Sequence, residues 1–286
     1  NQDDNQQVGQ EKYGLKKFNS KEELVNFLKE NQDLNGMNLV FDETQVFNPK
    51  DSVVSMEMFL SNLLTEKGKW NTNEVYAKNK PGDIYEYSNI GTTLAAFVIE
   101  KATGETFDKF TKKHILKPLK MNASGWHFED INFDNYSKLY ENPKTVLPFY
   151  SMVSYPDGNF ITSINDLSLY LTELIKGYNG NGTILSKESF KEYFRPQLEA
   201  KNFLDRNDKN PFSESFNVGI FIGFGYTGYI GHTGGDPGVG SMMFFDPKNN
   251  IGRILIINTS FSDKIGNDTF YGIWDKLEKY QTKLMN

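Results

Sequence analysis

The sequence predicts an α+β protein. A mainly helical lobe over about residues 54–210 precedes antiparallel strands and a closing helix over about residues 216–283. Three observations carry this expectation. Apolar residues recur at helical spacing through the middle of the chain, as in Leu94, Ala95, Val98 and Ile99. From Phe216 the period shortens, and turn residues separate brief apolar runs. At 286 residues, 38% hydrophobic and 24% charged, the chain is large and apolar enough to bury a core.

Residues 1–17 read as a polar linker and 18–286 as the domain. The opening Asn1-Gln-Asp-Asp-Asn-Gln-Gln suits a tether left after processing, which places the protein outside the cytoplasm: secreted, periplasmic or lipid-tethered. Ser20 and Glu23 form a capping box for a helix presenting Leu24, Phe27 and Leu28 on one face, and residues 37–41 fit a short strand. Met56, Phe59, Leu60, Leu63 and Leu64 mark the next amphipathic helix. After the turn Lys80-Pro-Gly-Asp, a helix is expected from about Gly91 to Ala102, stopped by Gly104, and another from Phe107 to Ile115. Residues 121–160 are rich in loop formers. Ser163 or Asn165 caps the following helix, whose stripe is Leu167, Tyr170, Leu171, Leu174 and Ile175, and Ser186 caps a shorter one. Strands are expected at Phe216–Phe221, Tyr229–Thr233, Ser241–Phe245 and Arg253–Asn258. The turn Asp246-Pro-Lys-Asn-Asn joins the last two, and a helix from Thr269 to about Lys283 closes the chain.

Composition removes several functions. A net charge of −6 without a basic cluster argues against a nucleic-acid partner. No run of 18 apolar residues exists to form a transmembrane helix. The absence of cysteine excludes disulfides, thiol catalysis and thiolate metal sites. His114, His127 and His232 are too dispersed to suggest a triad or metal site, so no metal or cofactor is implied; His114 and His127 read as surface or loop residues.

Two short constellations carry chemistry. Tyr87-Ser88-Asn89 follows the Pro-Gly turn at the mouth of a helix. The phenol can relay protons once its pKa is lowered, and the amide of Asn89 can fix a substrate carbonyl. Tyr140-Glu141-Asn142 has the same form by chance, so taken alone a helix-capping turn with a packed Tyr is the better account. His232-Thr-Gly-Gly-Asp-Pro-Gly238 ends a strand. Gly234 and Gly235 let a substrate lie against the strand edge, and the Gly235 N–H can form half of an oxyanion hole. Thr233 can bond a carboxylate or carbonyl, with His232 adding a positive or hydrogen-bonding group. Taken alone, a glycine-rich turn with an incidental His explains this stretch equally well.

In order and spacing the pieces mean more. Lys80-Pro-Gly-Asp-Ile-Tyr-Glu-Tyr-Ser-Asn-Ile-Gly, with Ile115-Leu-Lys-Pro-Leu-Lys-Met-Asn behind it, resembles the second motif region of the class C β-lactamase-like, penicillin-binding-protein-like serine hydrolases. Gly158-Asn-Phe-Ile-Thr-Ser-Ile-Asn-Asp-Leu resembles that family's helix entry near the site. Tyr229-Ile-Gly-His-Thr-Gly-Gly-Asp-Pro-Gly is similar to its third motif with His in place of Lys, and the hairpin after Asp246 is similar to its last one. Val46-Phe-Asn-Pro and the stretch from Val54 to Leu64 complete a likeness over roughly four-fifths of the chain. The resemblance implies an antiparallel sheet flanked by helices beside a helical lobe, with a cleft between for a small molecule or peptide. It implies hydrolysis of an amide, ester or β-lactam, with His in the third motif leaning toward esterase or peptidase. Tyr87 would be the general acid/base partner, Asn89 the orienting amide, and Thr233, Gly234 and Gly235 the substrate and oxyanion holders with His232 beside them.

The pattern breaks at the nucleophile. None of the lysines has Ser three positions before it, so the Ser-x-x-Lys pair of that family is not in these 286 residues. Thr106-Phe-Asp-Lys109 lies downstream of the second motif, and Phe18 stands three residues before Lys21, where the motif is expected. The two strands that normally precede the nucleophile are also missing, so the N-terminal part reads as truncated or divergent. Arg253–Asn258, nearly all apolar, then requires a partner on its free edge: residues 37–41, another copy of the chain, or a segment absent from these residues. Three functional readings follow: a serine hydrolase whose N-terminal part lies elsewhere, a non-catalytic ligand-binding or assembly protein retaining the cleft, and an acid–base reaction of Tyr87 and His232 without a covalent serine.

Overall fold

Short hydroxyl side chains set where the helices begin. In the computed structural model, which describes residues 55–202, 229–261 and 263–284, Ser55 accepts from the Met58 N–H to open helix α1, Met56–Leu64. Ser88 does the same for Gly91 at α2, Asn89–Thr103, which stops at Gly104 in the left-handed conformation, φ 73°. Helix α3, Phe107–Thr111, runs into a π-helical turn at Lys112–Leu116. Ser163, and not Asn165, caps α4, Ile164–Tyr178, while Ser186 caps α5, Lys187–Tyr193.

Between α3 and α4 the chain makes only single-turn helices and a two-stranded ribbon, β1 (Tyr140–Asn142) with β2 (Thr145–Val146). The ribbon qualifies the expectation of bare loop over residues 121–160. It is ordered from outside itself, since Tyr140 donates to the Asn258 carbonyl and accepts from the Ser260 N–H. A three-stranded antiparallel sheet follows, in the order β3 (Ile230–Asp236), β4 (Val239–Asp246), β5 (Ile251–Ile257). Asn250, φ 57°, closes the β4–β5 hairpin. Helix α6, Lys264–Leu284, begins five residues before the expected Thr269, because Asp263 accepts from the Gly266 and Asn267 N–H groups only through its own side chain and carbonyl, holding the extra turn.

Alternation along the strands sends their side chains to opposite faces, and each face has its own helix. Ile230 and Phe245 pack with Leu171 and Leu174 of α4. Met242 and Phe244 pack with Phe270 and Trp274 of α6. Burying Phe244 and Phe245 completely stabilises the sandwich by about 1.5–3 kcal/mol each. Close approach of α4 requires Gly252, where a Cβ would overlap Leu171. A third cluster, Met56, Leu60 and Ala96, joins α1 to α2 and to Tyr155.

Arg253 of β5 lies on the α6 face with its guanidinium carbon 4.7 Å from the Tyr229 ring centre and 4.5 Å from that of Trp274, and Glu278 stands 3.4 Å from its nitrogen. Among the described residues no strand pairs with the outer edge of β5, although all seven of its residues are at least partly buried. The helix at Ser20, the strands at 37–41 and Phe216–Phe221, and Phe18 to Lys21 lie outside the described residues.

Candidate ligand-binding site

The site grows from the end of β3. Register with β4 pairs His232 with Met243, Thr233 with Met242 and Gly235 with Gly240. His232 therefore shares the α4 face with Ile230, and Thr233 and Gly235 share the α6 face. Thr233, Gly234 and Gly235 are exposed, and a Cβ on Gly235 would meet nothing within 4 Å, so a ligand has room against this backbone. An open depression of about 390 Å³ lies beside it, lined by Gly235, Asp236, Val239, Ser260, Phe261 and Asn267.

The facing wall is the turn before α2. Tyr87 precedes the N-cap Ser88, and Asn89 opens the helix on its exposed side. This turn has no repeating ladder; one buried side chain organises it. Asn202 donates from Nδ2 to the carbonyls of Gly82 and Asp83, both at 2.9 Å, while its own carbonyl accepts from the Tyr85 N–H at 2.7 Å. With the turn held so, the Tyr87 ring centre stands 5.9 Å from that of His232.

Electrostatics give each group a protonation state. Burial holds the His232 pKa below its ordinary value, so the imidazole is neutral at pH 7. Its Nδ1 contacts the Thr233 carbonyl, which can only accept, so the proton belongs on Nδ1 and the lone pair on Nε2. The Tyr87 pKa is raised by burial first, then by the carboxylates of Asp157 and Asp236. The lowered pKa that proton relay would require is therefore reversed: Tyr87 is a neutral phenol, fit to donate a hydrogen bond rather than to abstract a proton. The positive His232 considered above gives way to a neutral one for the same physical reason, desolvation.

The two carboxylates also mark residues that sequence reasoning left without a role. Asp236 belongs to the third-motif stretch, and its Oδ2 lies 2.9 Å from where a Cβ of Gly158 would sit. Asp157 accepts from Thr93, a fully buried residue of α2, at 3.0 Å. Both carboxyl pKa values are raised, chiefly by burial, and the charge of Asp157 adds to the shift at Asp236. Tyr150 donates to the Pro237 carbonyl at 2.9 Å. The signal for Asp236 was its place beside the glycines; for Asn202 there was none. His127 stacks near Tyr155 at 5.1 Å and His114 near Phe110 at 4.6 Å, both away from His232 in the fold's contacts. Among the described residues no group of three His, Asp or Glu is placed to hold a metal ion, and no helix is long and apolar enough to cross a membrane.

Comparison with known proteins gives the same grouping. A putative penicillin-binding protein, PbpX, of Bacillus subtilis is 24% identical over 66% of this chain and 44% of its own length, so the chain spans less than half of that relative. A penicillin-binding protein structure from Bacillus halodurans superposes with TM-score 0.55 at 16% identity, covering 86% of this chain and 67% of that one. An octameric penicillin-binding protein homologue from Pyrococcus abyssi gives TM-score 0.54 at 22% identity, over 73% and 45%. These likenesses establish a β-lactamase/transpeptidase-like fold. Because the family model described as Beta-lactamase matches residues 69–278, spanning the Tyr87 turn and the His232 strand alike, the chain belongs to the β-lactamase family.

Proposed function

We propose that the chain binds an acyl compound, an amide, ester or β-lactam, in the cleft where Tyr87 meets His232, as a penicillin-binding-protein-like member of the serine hydrolases. The observation that carries this reading is the 5.9 Å approach of the two rings, from segments far apart in sequence. In this reading the Tyr87 hydroxyl donates to the ligand and Asn89 orients its amide. Thr233 bonds a carboxylate or carbonyl, and the Gly234-Gly235 backbone receives the polarised oxygen beside His232. An extracytoplasmic location belongs to the same reading, supported by likeness to penicillin-binding proteins and tested by protease accessibility on intact cells.

A second reading is binding without turnover. It is supported by the raised pKa of Tyr87 and by the lack of a Ser-x-x-Lys pair in these 286 residues, which leaves the phenol no adjacent hydroxyl to activate. Incubation with a fluorescent penicillin and with a serine-reactive fluorophosphonate, followed by intact mass measurement, separates the two. A stoichiometric adduct supports hydrolase chemistry. Unchanged mass beside saturable penicillin binding supports binding alone. Absence of any binding would overturn both.

A further inference from the structure

Beyond Gly235 the cleft changes character. Asp236 ends β3, and Asp157 lies on the neighbouring turn; among the described residues neither carboxylate has an ion-pair partner. Two half-buried carboxylates left so close raise the energy of ionisation at Asp236, and a cation between them would relieve it. A patch of aromatic rings joins the same end. Tyr150 reaches the Pro237 carbonyl, one residue past Asp236, and its chain neighbour Phe149 packs 4.9 Å from Phe133 and 5.5 Å from Tyr136. Phe133 stacks on Tyr136 with ring planes 6° apart, yet Phe133 remains 43% exposed and Phe149 47%. Such neighbouring, half-exposed rings beside a cleft mark a surface suited to an apolar group. Their faces also attract a cation, in agreement with the carboxylates.

We propose that the ligand of this cleft is an amide or ester bearing a free ammonium and a large apolar group, the ammonium held by Asp236 and Asp157 and the apolar group laid on Phe149 and Phe133. This rests on the acyl-binding reading above and adds the substrate class to it. Charge complementarity chooses the occupant: an anionic tail at this end would meet two carboxylates and no cation among the described residues. Gly158 is part of the construction, because a side chain there would push the Asp236 carboxylate aside.

Calorimetry with tyrosine amide, N-acetyl-tyrosine amide and glycine amide tests the assignment. Removing the ammonium by acetylation is expected to weaken binding about tenfold, as is removing the ring in glycine amide. Asp236→Asn should bring the free and acetylated amides to within about twofold of each other, and Phe149→Ala should do the same for the tyrosine and glycine amides. Asp157→Asn serves as a second carboxylate variant, and each variant is compared at matched thermal stability. Equal affinity of the free and acetylated amides for the unaltered protein overturns the proposal. If that protein binds fluorescent penicillin and shows no ammonium preference, the acyl-binding cleft stands and only the substrate class falls. If it binds neither penicillin nor any amide, both fall.

Discussion

His232 and Tyr87 face each other across the cleft, but the walls behind them are made differently. The His232 wall is a strand in register with β4 over seven residue pairs, with a hydrophobic cluster on each face of its sheet. The Tyr87 wall is an exposed turn tied down by the single side chain and carbonyl of Asn202. Regular pairing distributes its free energy over many bonds, whereas one buried amide concentrates it, so the second wall is the one that a small change can move. In this arrangement the third-motif strand acts as the fixed reference against which the Tyr87 turn is positioned.

Substitutions on the two walls should separate accordingly. The largest effect is expected for Gly231→Ala, since a Cβ would overlap the Met243 carbonyl and the Phe244 Cα inside the β3–β4 ladder. Loss of about 3 kcal/mol in urea unfolding is expected. A wild-type midpoint would show that β3 is not the rigid wall. Asn202→Ala should cost less, about 2 kcal/mol, by stranding the Gly82 and Asp83 carbonyls. Its signature is local: faster amide exchange over residues 82–87 with residues 230–236 unchanged. A uniform rise across both segments would contradict the division.

Binding changes come next. Thr233→Val should weaken a carboxylate-bearing penicillin about tenfold by calorimetry, the value of one lost hydrogen bond to a charged group, with stability unchanged. Tyr87→Phe should have a similar or smaller effect, because the phenol is a neutral donor here. A drop confined to high pH would instead point to a phenolate.

The smallest effect concerns charge. The Asp236 carboxyl pKa is raised above its ordinary 3.8, so the folded state holds that proton more tightly than the unfolded state does. Ionisation then costs stability, a cost absent below pH 3.8 and complete above the raised value. Asp236→Asn is therefore expected to raise the melting temperature at pH 7 and to leave it unchanged at pH 3. A lower melting temperature at pH 7 would mean that the carboxylate is paired.

Much of the fold could be read from local pattern. Ser88, Ser163 and Ser186 announce helix starts because a hydroxyl before an apolar stripe satisfies the first free N–H groups, and Gly104 announces a stop because its φ of 73° suits glycine. The hairpin after Asp246 is equally local. The ribbon at Tyr140–Asn142 was not legible, since its hydrogen bonds come from Asn258 and Ser260, across the fold. The site divides in the same way. Tyr87, His232 and Thr233 stood out in sequence through their motifs, whereas Asn202 has no neighbour in sequence that hints at its partners, and Asp157 and Asp236 acquire their raised pKa values only where folding excludes water from them.

The amino-acid order by itself determined which residue types could do chemistry here, where helices and strands begin, and that no Ser-x-x-Lys pair stands among these 286 residues. Tertiary structure alone decided that Tyr87 lies 5.9 Å from His232, that its phenol stays protonated, and that the imidazole is neutral. The reason is physical: periodicity and capping act within a few residues, while desolvation and the field of a carboxylate act through space, among groups that only the folded chain brings together.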